Sequence, residues 1–355
     1  MTATPPEAPS PGVPGGPIVF VSHDASPNVG FGPATPGTRS SGIAEALATG
    51  SDVFCARGTY RISIPLVVNP GQRFTMARGA VLVPDTDTDV IQIPPVKANA
   101  GGGPHLYGVH INDAHGNQTS TAGIHFLNAA NPVWDVRLDQ LRIENCWNAI
   151  SSDTPATPLL AVNGINRLYA KDIHIETPRN RAIFLQSFWD NVWEDVLVHI
   201  TAPATNMSCP NVELRNGAGP SGTWFVRTKI LGNRVGNQSG HGMLIDDVAD
   251  FWLQDTFVNL CGGDGYQFAH SVDRLHSFGA RAIGCRTAGF NFLGTANGNV
   301  YFTGLEADLN KSYGIESSPG DATMKVLWGP VLHANTLGPT GPSPLPGATV
   351  YAPTF

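Results

Sequence analysis

Two short segments, RIE at 142–144 and HIE at 174–176, carry the side chains best suited to acid–base chemistry. In each segment two ionisable residues flank one apolar residue. If the segments occupy equivalent positions of a repeat, Glu144 and Glu176 lie about 5 Å apart, the separation of the carboxyl pair in a retaining glycosidase. Like charges at that distance raise the pKa of one carboxyl group and leave an acid beside a base. We therefore predict both glutamates as catalytic candidates.

The neighbouring basic residues suggest two other interpretations of the same surface. His174 and His199 are candidate bases of a polysaccharide lyase, with Arg142 or Lys229 neutralising a sugar carboxylate. Alternatively, Arg and His side chains merely offset the glutamates on a solvated face. The spacing leaves these interpretations open.

Aromatic residues recur in or beside one strand-like segment of each repeat. They are Trp134, Tyr169, Trp193, Trp224, Trp252 and Tyr301. Facing outward, they would form a line on which sugar rings stack, with Trp193 and Trp252 as substrate-binding candidates. Facing inward, they would be core or subunit contacts.

A repeat that can position these residues runs through the middle of the chain. Each unit is a turn, a small residue and then an apolar residue, and the units lie 23 to 33 residues apart. The apolar residues are Ile124, Ile150, Ile183, Val212, Met243, Tyr266, Phe290 and Ile315. Two further strand-like segments precede each later unit, without a helix between them. Three short strands per repeat predict an all-β, right-handed parallel β-helix over residues 38–336, with these apolar residues inside. A β-propeller is the rival, but its blades are longer and need antiparallel hairpins.

A short helix is predicted near residues 41–49, with Ser41 as N-cap and Gly50 as the stop. Ile43 and Leu47 would cover the open end of the coil, which is an exposed sheet edge. The segment GTYRISIPLVVNPGQRFTMARGAVL at 58–82 then gives short strands broken by glycines. Helix and strands in this order resemble the first coils of the pectate-lyase superfamily, which includes polysaccharide lyases, polygalacturonases and bacteriophage tailspikes. The resemblance implies the fold, whereas activity depends on the site.

The stretch GHGMLIDD at 240–247 looks like a polygalacturonase signature. That family has Asn-x-Asp, Asp-Asp, Gly-His-Gly and Arg-Ile-Lys in this order, about one coil apart. Here Gly-His-Gly precedes Asp-Asp, and both lie in one strand. We therefore predict scaffold, with Gly242 as a small turn residue, Met243 and Ile245 inside and Asp246 outside.

Other aspartates suggest a calcium site or turns. Some lyases of the superfamily use calcium, and Asp85, Asp87 and Asp89 alternate as possible ligands. The segment lacks the Gly and the terminal Glu of a calcium loop, which favours an exposed acidic turn. A turn position is also predicted for Asp139, Asp172, Asp195 and Asp255.

Composition excludes several classes of protein. The 355 residues carry a net charge of −7 and only 14% charged residues, without a basic stripe, which argues against nucleic acid as a partner. No apolar run is long enough to cross a membrane. The five cysteines are odd in number and lack metal spacing, which favours free thiols.

The two ends differ from the repeat. Nine prolines fall within residues 1–37, which predicts an extended arm that gains order only on a partner. Residues 337–355 form a Pro- and Gly-rich tail. The N-terminus has no charged n-region and no apolar h-region, so we expect no signal peptide.

Two functions follow as hypotheses. The first is a tail spike, fibre or minor tail protein of a bacteriophage virion. It would form homotrimers, dock on other tail proteins through the N-terminal arm and bind a host surface glycan or receptor. The second is a polysaccharide depolymerase, a lyase or hydrolase acting on an acidic or cell-wall glycan and released outside the cell.

Overall fold

The computed structural model describes most of the chain. The described residues are 17–23, 30–96, 102–154, 164–201, 209–217, 222–232, 240–293, 299–317, 324–341 and 349–351. Within them the chain forms one short α-helix, α1 (Ile43–Leu47), and 32 β-strands. Among these residues, no helix is long and apolar enough to cross a membrane.

The strands are short, and all of their pairings are parallel. In chain order they are β1 (Ile18–Val21), β2 (Asp52–Cys55), β3 (Gly58–Ile62), β4 (Leu66–Val67), β5 (Arg73–Met76), β6 (Ala80–Pro84), β7 (Ile91–Ile93), β8 (His105–Tyr107), β9 (His110–Asn112), β10 (Ala122–Phe126), β11 (Val133–Trp134), β12 (Arg137–Glu144), β13 (Asn148–Ser152), β14 (Ile165–Asn166), β15 (Tyr169–Glu176), β16 (Arg181–Trp189), β17 (Val192–His199), β18 (Val212–Gly217), β19 (Thr223–Val226), β20 (Lys229–Leu231), β21 (Met243–Gln254), β22 (Phe257–Asn259), β23 (Tyr266–Phe278), β24 (Arg281–Ile283), β25 (Phe290–Leu293), β26 (Asn299–Thr303), β27 (Glu306–Asp308), β28 (Tyr313–Ser317), β29 (Met324–Trp328), β30 (Val331–His333), β31 (Gly338–Thr340) and β32 (Thr349–Tyr351).

Most strands stack into three long faces, as in a parallel β-helix, while β11, β14 and the last part of β16 pair with one another outside these faces. Face A holds β4, β7, β10, β13, β18, β25, β28, β31 and the first parts of β16, β21 and β23. Face B holds β1, β2, β5, β8, β19, β26, β29, β32, the first parts of β12, β15 and β17 and the last parts of β21 and β23. Face C holds β3, β6, β9, β20, β22, β24, β27, β30 and the last parts of β12, β15 and β17. One set of three strands is called a rung below.

The core is a set of inward columns between the faces. The eight apolar residues predicted to lie inside, from Ile124 to Ile315, pair one with the next along face A. All eight are at most 1% exposed. The predicted repeat is therefore confirmed, because the side chains of a strand alternate between inside and outside with a period of two.

The N-terminal end departs from two predictions. Strand β1 lies inside the predicted arm, pairs in register with β2 and buries Val21 completely, so the coil already includes Ile18. Residues 1–16 and 24–29 of that arm lie outside the described residues. Helix α1 exists, but Gly42 and not Ser41 occupies its N-cap position. The hydroxyl group of Ser40 accepts the hydrogen bond from the N–H of Ala44.

The tight turn between faces B and C repeats a left-handed residue from rung to rung. Positive φ angles occur there at Gly108, Gln140, Asp172, Asp195, Arg227, Asp255, Gly279 and Gly304. The predicted turn positions of Asp172, Asp195 and Asp255 are thus confirmed. The prediction for Asp139 is wrong by one residue, because Gln140 takes the turn and Asp139 remains in the strand, opposite Tyr107. All five cysteines are free, as predicted.

Candidate functional site

The structure brings the two predicted glutamates together on face C. Glu144 pairs with Glu176 in the register of β12 and β15, so they lie on consecutive rungs. Arg142 lies between them: its Nε donates to Glu144 at 2.7 Å, and its Nη2 lies 3.4 Å from Glu176. His110, one rung earlier, contacts the other oxygen of Glu144 at 2.7 Å.

These contacts make Glu144 a poor proton donor. Burial by itself would raise the pKa of its carboxyl group, but the hydrogen bonds from His110 and Arg142 outweigh burial and hold the pKa below its usual range. A retaining glycosidase needs one carboxyl group that keeps its proton near neutral pH. Glu144 does not fit that acid role, and the pair remains a prediction as a catalytic site.

His174 and Lys229 lie in one outward column with Arg142, whereas His199 lies in the column of the two glutamates. His199 pairs with Glu176, so it continues the glutamate column. His174 pairs with Arg142 on one side and with Leu197 on the other. Lys229 is exposed and pairs with Leu197, so the uncharged Leu197 separates it from His174 in this column.

His174 has one property of a base. Burial lowers the pKa of its imidazole group, which keeps the ring uncharged at neutral pH. Its Nε2 atom is buried and has no hydrogen-bond partner in the described part of the chain.

Of the two tryptophans predicted to hold substrate, Trp193 is a core residue. It is 0% exposed and stacks on Phe225 with 5.7 Å between ring centres, so no substrate can reach it. Trp252 faces outward on face B, but its ring is stacked between Trp224 at 4.4 Å and His276 at 4.1 Å. Because both ring faces are covered, Trp252 presents only its edge.

The stretch GHGMLIDD is scaffold in its first half. A Cβ atom on Gly242 would lie 2.3 Å from Val258 and 2.6 Å from the carbonyl oxygen of Gly265, so only glycine fits there. Met243 and Ile245 are fully buried, as predicted.

The second half of the stretch takes part in an ion-pair network on face A. Asp246 is 6% exposed; its carboxylate binds His270 of the next rung at 2.5 Å and lies 3.5 Å from Arg215. Asp247 occupies a left-handed turn position.

The three aspartates considered for calcium face different partners. Asp85 pairs with Arg61, Asp87 accepts hydrogen bonds from residues 119–121, and Asp89 binds His125. The groups do not converge on one point, and the calcium site remains a prediction from the sequence alone.

A groove on face B of the described residues is a feature that the sequence analysis missed. Its volume is about 340 Å³. It is lined by Arg73, Thr75, His105, Tyr107, Arg137 and Asp139. These residues form two outward columns. One column consists of Arg73, His105 and Arg137, which pair with one another on consecutive rungs. The other consists of Thr75, Tyr107 and Asp139, each two residues further along its strand. We call this feature the basic groove.

A carboxylate organises one wall of the basic groove. The Oδ2 atom of Asp139 contacts His105 Nε2 at 2.8 Å and Arg137 Nε at 2.5 Å. Burial alone would raise the pKa of Asp139, but these two contacts hold it below its usual range, so the group is ionised at neutral pH. Asp139 therefore fixes His105 and Arg137 in place.

Comparison with known proteins identifies the fold and not a family. No protein-family model matches the chain, and no curated protein sequence is significantly similar to it. Among solved structures, the A-module of the Azotobacter vinelandii mannuronan C-5 epimerase AlgE4 is 13% identical, with a TM-score of 0.55 over 87% of this chain and 93% of that one. The catalytic domain of a GH87 α-1,3-glucanase is 12% identical, with a TM-score of 0.51 over 99% and 70%. ORF18 of Geobacillus virus E2 is 14% identical, with a TM-score of 0.50 over 94% and 60%. The similar structures are right-handed parallel β-helices, and the predicted pectate-lyase-like fold is confirmed.

Proposed function

We propose that the chain is part of a bacteriophage tail spike or fibre and binds a host cell-surface glycan in the basic groove. The observation that carries the proposal is the groove itself, a hollow of about 340 Å³ on a rigid sheet face. Its volume lies at the lower end of the range of small-molecule sites, which suits a short stretch of glycan. Tyr107 offers an aromatic surface, and the guanidinium groups offer planar sets of donors.

The names of the similar structures support both parts of the proposal. A mannuronan epimerase and a glucanase in complex with tetrasaccharides support a glycan ligand, and a virus protein supports a place in a phage particle. In this proposal the chain assembles as a homotrimer, and the N-terminal arm docks on other tail proteins. Because β1 already belongs to the coil, the docking segment is confined to residues before Ile18.

Binding of the full chain to glycans extracted from host envelopes tests the proposal. We expect Tyr107→Ala to lower the affinity at least tenfold. The matched control is Trp328→Ala, which removes an exposed aromatic residue from the far end of the same face and should leave binding unchanged. No binding by the unmodified chain, or equal losses in both variants, would contradict the proposal.

A depolymerase is the second candidate, and the observation that favours it is the register of Glu144 with Glu176. Reducing-end and unsaturated-sugar assays on the same glycans would detect hydrolysis and elimination, respectively. If the pair is catalytic, Glu144→Gln and Glu176→Gln each abolish cleavage without lowering the melting temperature. Because the uncharged His174 adjoins the pair, an elimination reaction would also require His174. Full activity in the glutamine variants would remove the pair from consideration.

A further inference from the structure

We propose that the basic groove selects a saccharide carrying an anionic group, with Arg73 receiving the charge and Tyr107 receiving the sugar ring. The inference rests on the proposed function and adds to it the chemical class of the ligand and the two side chains that recognise it. A carboxylate and a phosphate ester share the required chemistry.

Arg73 is the cation of the groove that remains available. Its backbone N–H donates to the carboxylate of Asp52 at 2.8 Å, but its guanidinium group makes no ion pair within the described residues. The side chain is partly exposed and lines the hollow. A guanidinium group with free donors binds a carboxylate or a phosphate through two parallel hydrogen bonds.

Arg137 cannot play the same part, because its Nε atom contacts Asp139 at 2.5 Å. The lining thus contains two guanidinium groups and one carboxylate, an excess of positive charge in a chain whose net charge is −7. Asp139 neutralises Arg137 and fixes its position, while the charge of Arg73 can interact with a ligand. An anion bound there would not have to displace an internal partner.

Tyr107 is the aromatic ring of the groove with room beside it. It is 39% exposed, and its column neighbours are Thr75 on the preceding rung and Asp139 on the next. Neither neighbour is aromatic, so the ring is not part of a stack. His105 meets it edge-on, with 6.2 Å between ring centres and an interplanar angle of 82°, which supports the ring from one side.

The two recognition groups lie on neighbouring rungs. Arg73 and Tyr107 are diagonal neighbours on consecutive rungs, and such neighbours lie about 7–8 Å apart. A sugar ring placed on Tyr107 can therefore direct a charged substituent to Arg73.

The test compares three oligosaccharide probes by calorimetric titration of the full chain. The probes are an oligogalacturonate, its fully methyl-esterified form and a glycerol-phosphate oligomer with attached sugars. We expect at least one anionic probe to bind about tenfold more tightly than the ester, and the preferred probe distinguishes a carboxylate from a phosphate. Arg73→Gln should remove this preference. Arg281→Gln is the matched control, because it removes the same charge from face C, where Arg281 lies over Phe257.

The outcomes separate the inference from the proposed function. If the ester binds as tightly as the anionic probes, or if Arg73→Gln and Arg281→Gln behave alike, the inference is wrong although glycan binding stands. The same two variants are compared on the extracted host glycan at low and high salt, where binding through Arg73 should weaken with salt. Salt-independent binding that survives Arg73→Gln would also overturn the inference. A failure to bind the host glycan at all would instead overturn the proposed function.

Discussion

The first and the later rungs of face B use the same outward column in opposite ways. In the early rungs the column holds Arg73, His105 and Arg137, and a groove opens beside it. Four rungs after Arg137 the column reaches Trp252, whose ring is stacked between Trp224 and His276. One backbone geometry thus supports a hollow or a closed stack, and the side chains alone decide which.

The difference arises from the spacing between rungs. Neighbouring rungs lie about 4.8 Å apart, close to the distance between stacked aromatic rings, so flat rings in register fill the column. In the basic groove, His105 and Arg137 instead turn toward Asp139 and leave space beside them. Under the proposed function, the aromatic stack therefore serves stability and the basic groove serves binding.

The largest effect on stability should follow from removing a ring from the aromatic stack. Trp224 is 4% exposed, and its ring lies 4.4 Å from that of Trp252. We expect Trp224→Ala to lower the free energy of unfolding by about 3 kcal/mol, because a large ring leaves a buried position. Denaturant titration measures the change. Trp328→Ala, at an exposed position, should cost less than half as much, and equal costs would contradict the assigned role of the stack.

A smaller loss of stability should follow from removing the carboxylate of Asp139 in the basic groove. Asp139→Asn leaves Arg137 and His105 without their shared partner, which should cost about 1–2 kcal/mol at pH 7. Because the pKa of Asp139 is lowered by folding, its contribution is present above the ordinary pKa of about 4 and is lost as the pH falls below it. The two proteins should thus approach each other in stability as the pH falls through the lowered pKa of Asp139. A gap that persists in acid would show that the loss is not electrostatic.

His276 is the residue of the aromatic stack that should affect stability in mild acid. Burial lowers the pKa of His276, which stacks on Trp252 at 4.1 Å and on Tyr301 at 5.1 Å. Folding therefore favours the uncharged ring, and stability falls once the pH drops below about 6.5, where the unfolded chain takes up the proton. We expect His276→Phe to lose less stability than the parent between pH 7 and pH 5 in thermal unfolding. Parallel losses would mean that His276 is protonated in the folded chain.

The smallest effect on stability is expected at the groove's own aromatic residue. Tyr107 is 39% exposed and lies outside any stack. Tyr107→Ala should change the free energy of unfolding by no more than about 0.5 kcal/mol. The loss of glycan binding in Tyr107→Ala would then result from a lost contact with the glycan and not from unfolding. A loss of stability comparable to that of Trp224→Ala would contradict the distinction between the basic groove and the aromatic stack.

The sequence predicted the core better than the outer surface, for a physical reason. Inward positions must be apolar on every rung, so the column from Ile124 to Ile315 was visible as a repeat. Outward positions carry no such constraint. In β17, Val196, Val198 and Ile200 alternate with the same period, so the sequence does not show which of them continues the column of Ile175. The structure pairs Val198 with Ile175, which puts His199 beside Glu176.

The basic groove was missed because its parts are far apart in the chain. Arg73, His105 and Arg137 follow one another at intervals of 32 residues, about one rung, but the early rungs lack the small-residue motif that marked the later ones. Aligning RFTM at 73–76 with HLY at 105–107 and RLD at 137–139 would have shown the column. Within the described residues the guanidinium group of Arg73 makes no ion pair while that of Arg137 makes one, and this difference follows only from side-chain positions, which no spacing reveals.

The parallel pairing of every rung with the next has a mechanical consequence. The interstrand hydrogen bonds run along the long axis of the coil, because each strand lies across that axis. A pull along the axis at one end loads the bonds of a single rung at a time and peels the coil, whereas compression along the axis presses all rungs together. The molecule is therefore a column that is stiff under a push and yields in small steps under tension, and single-molecule pulling from its two ends should show many small, similar force peaks.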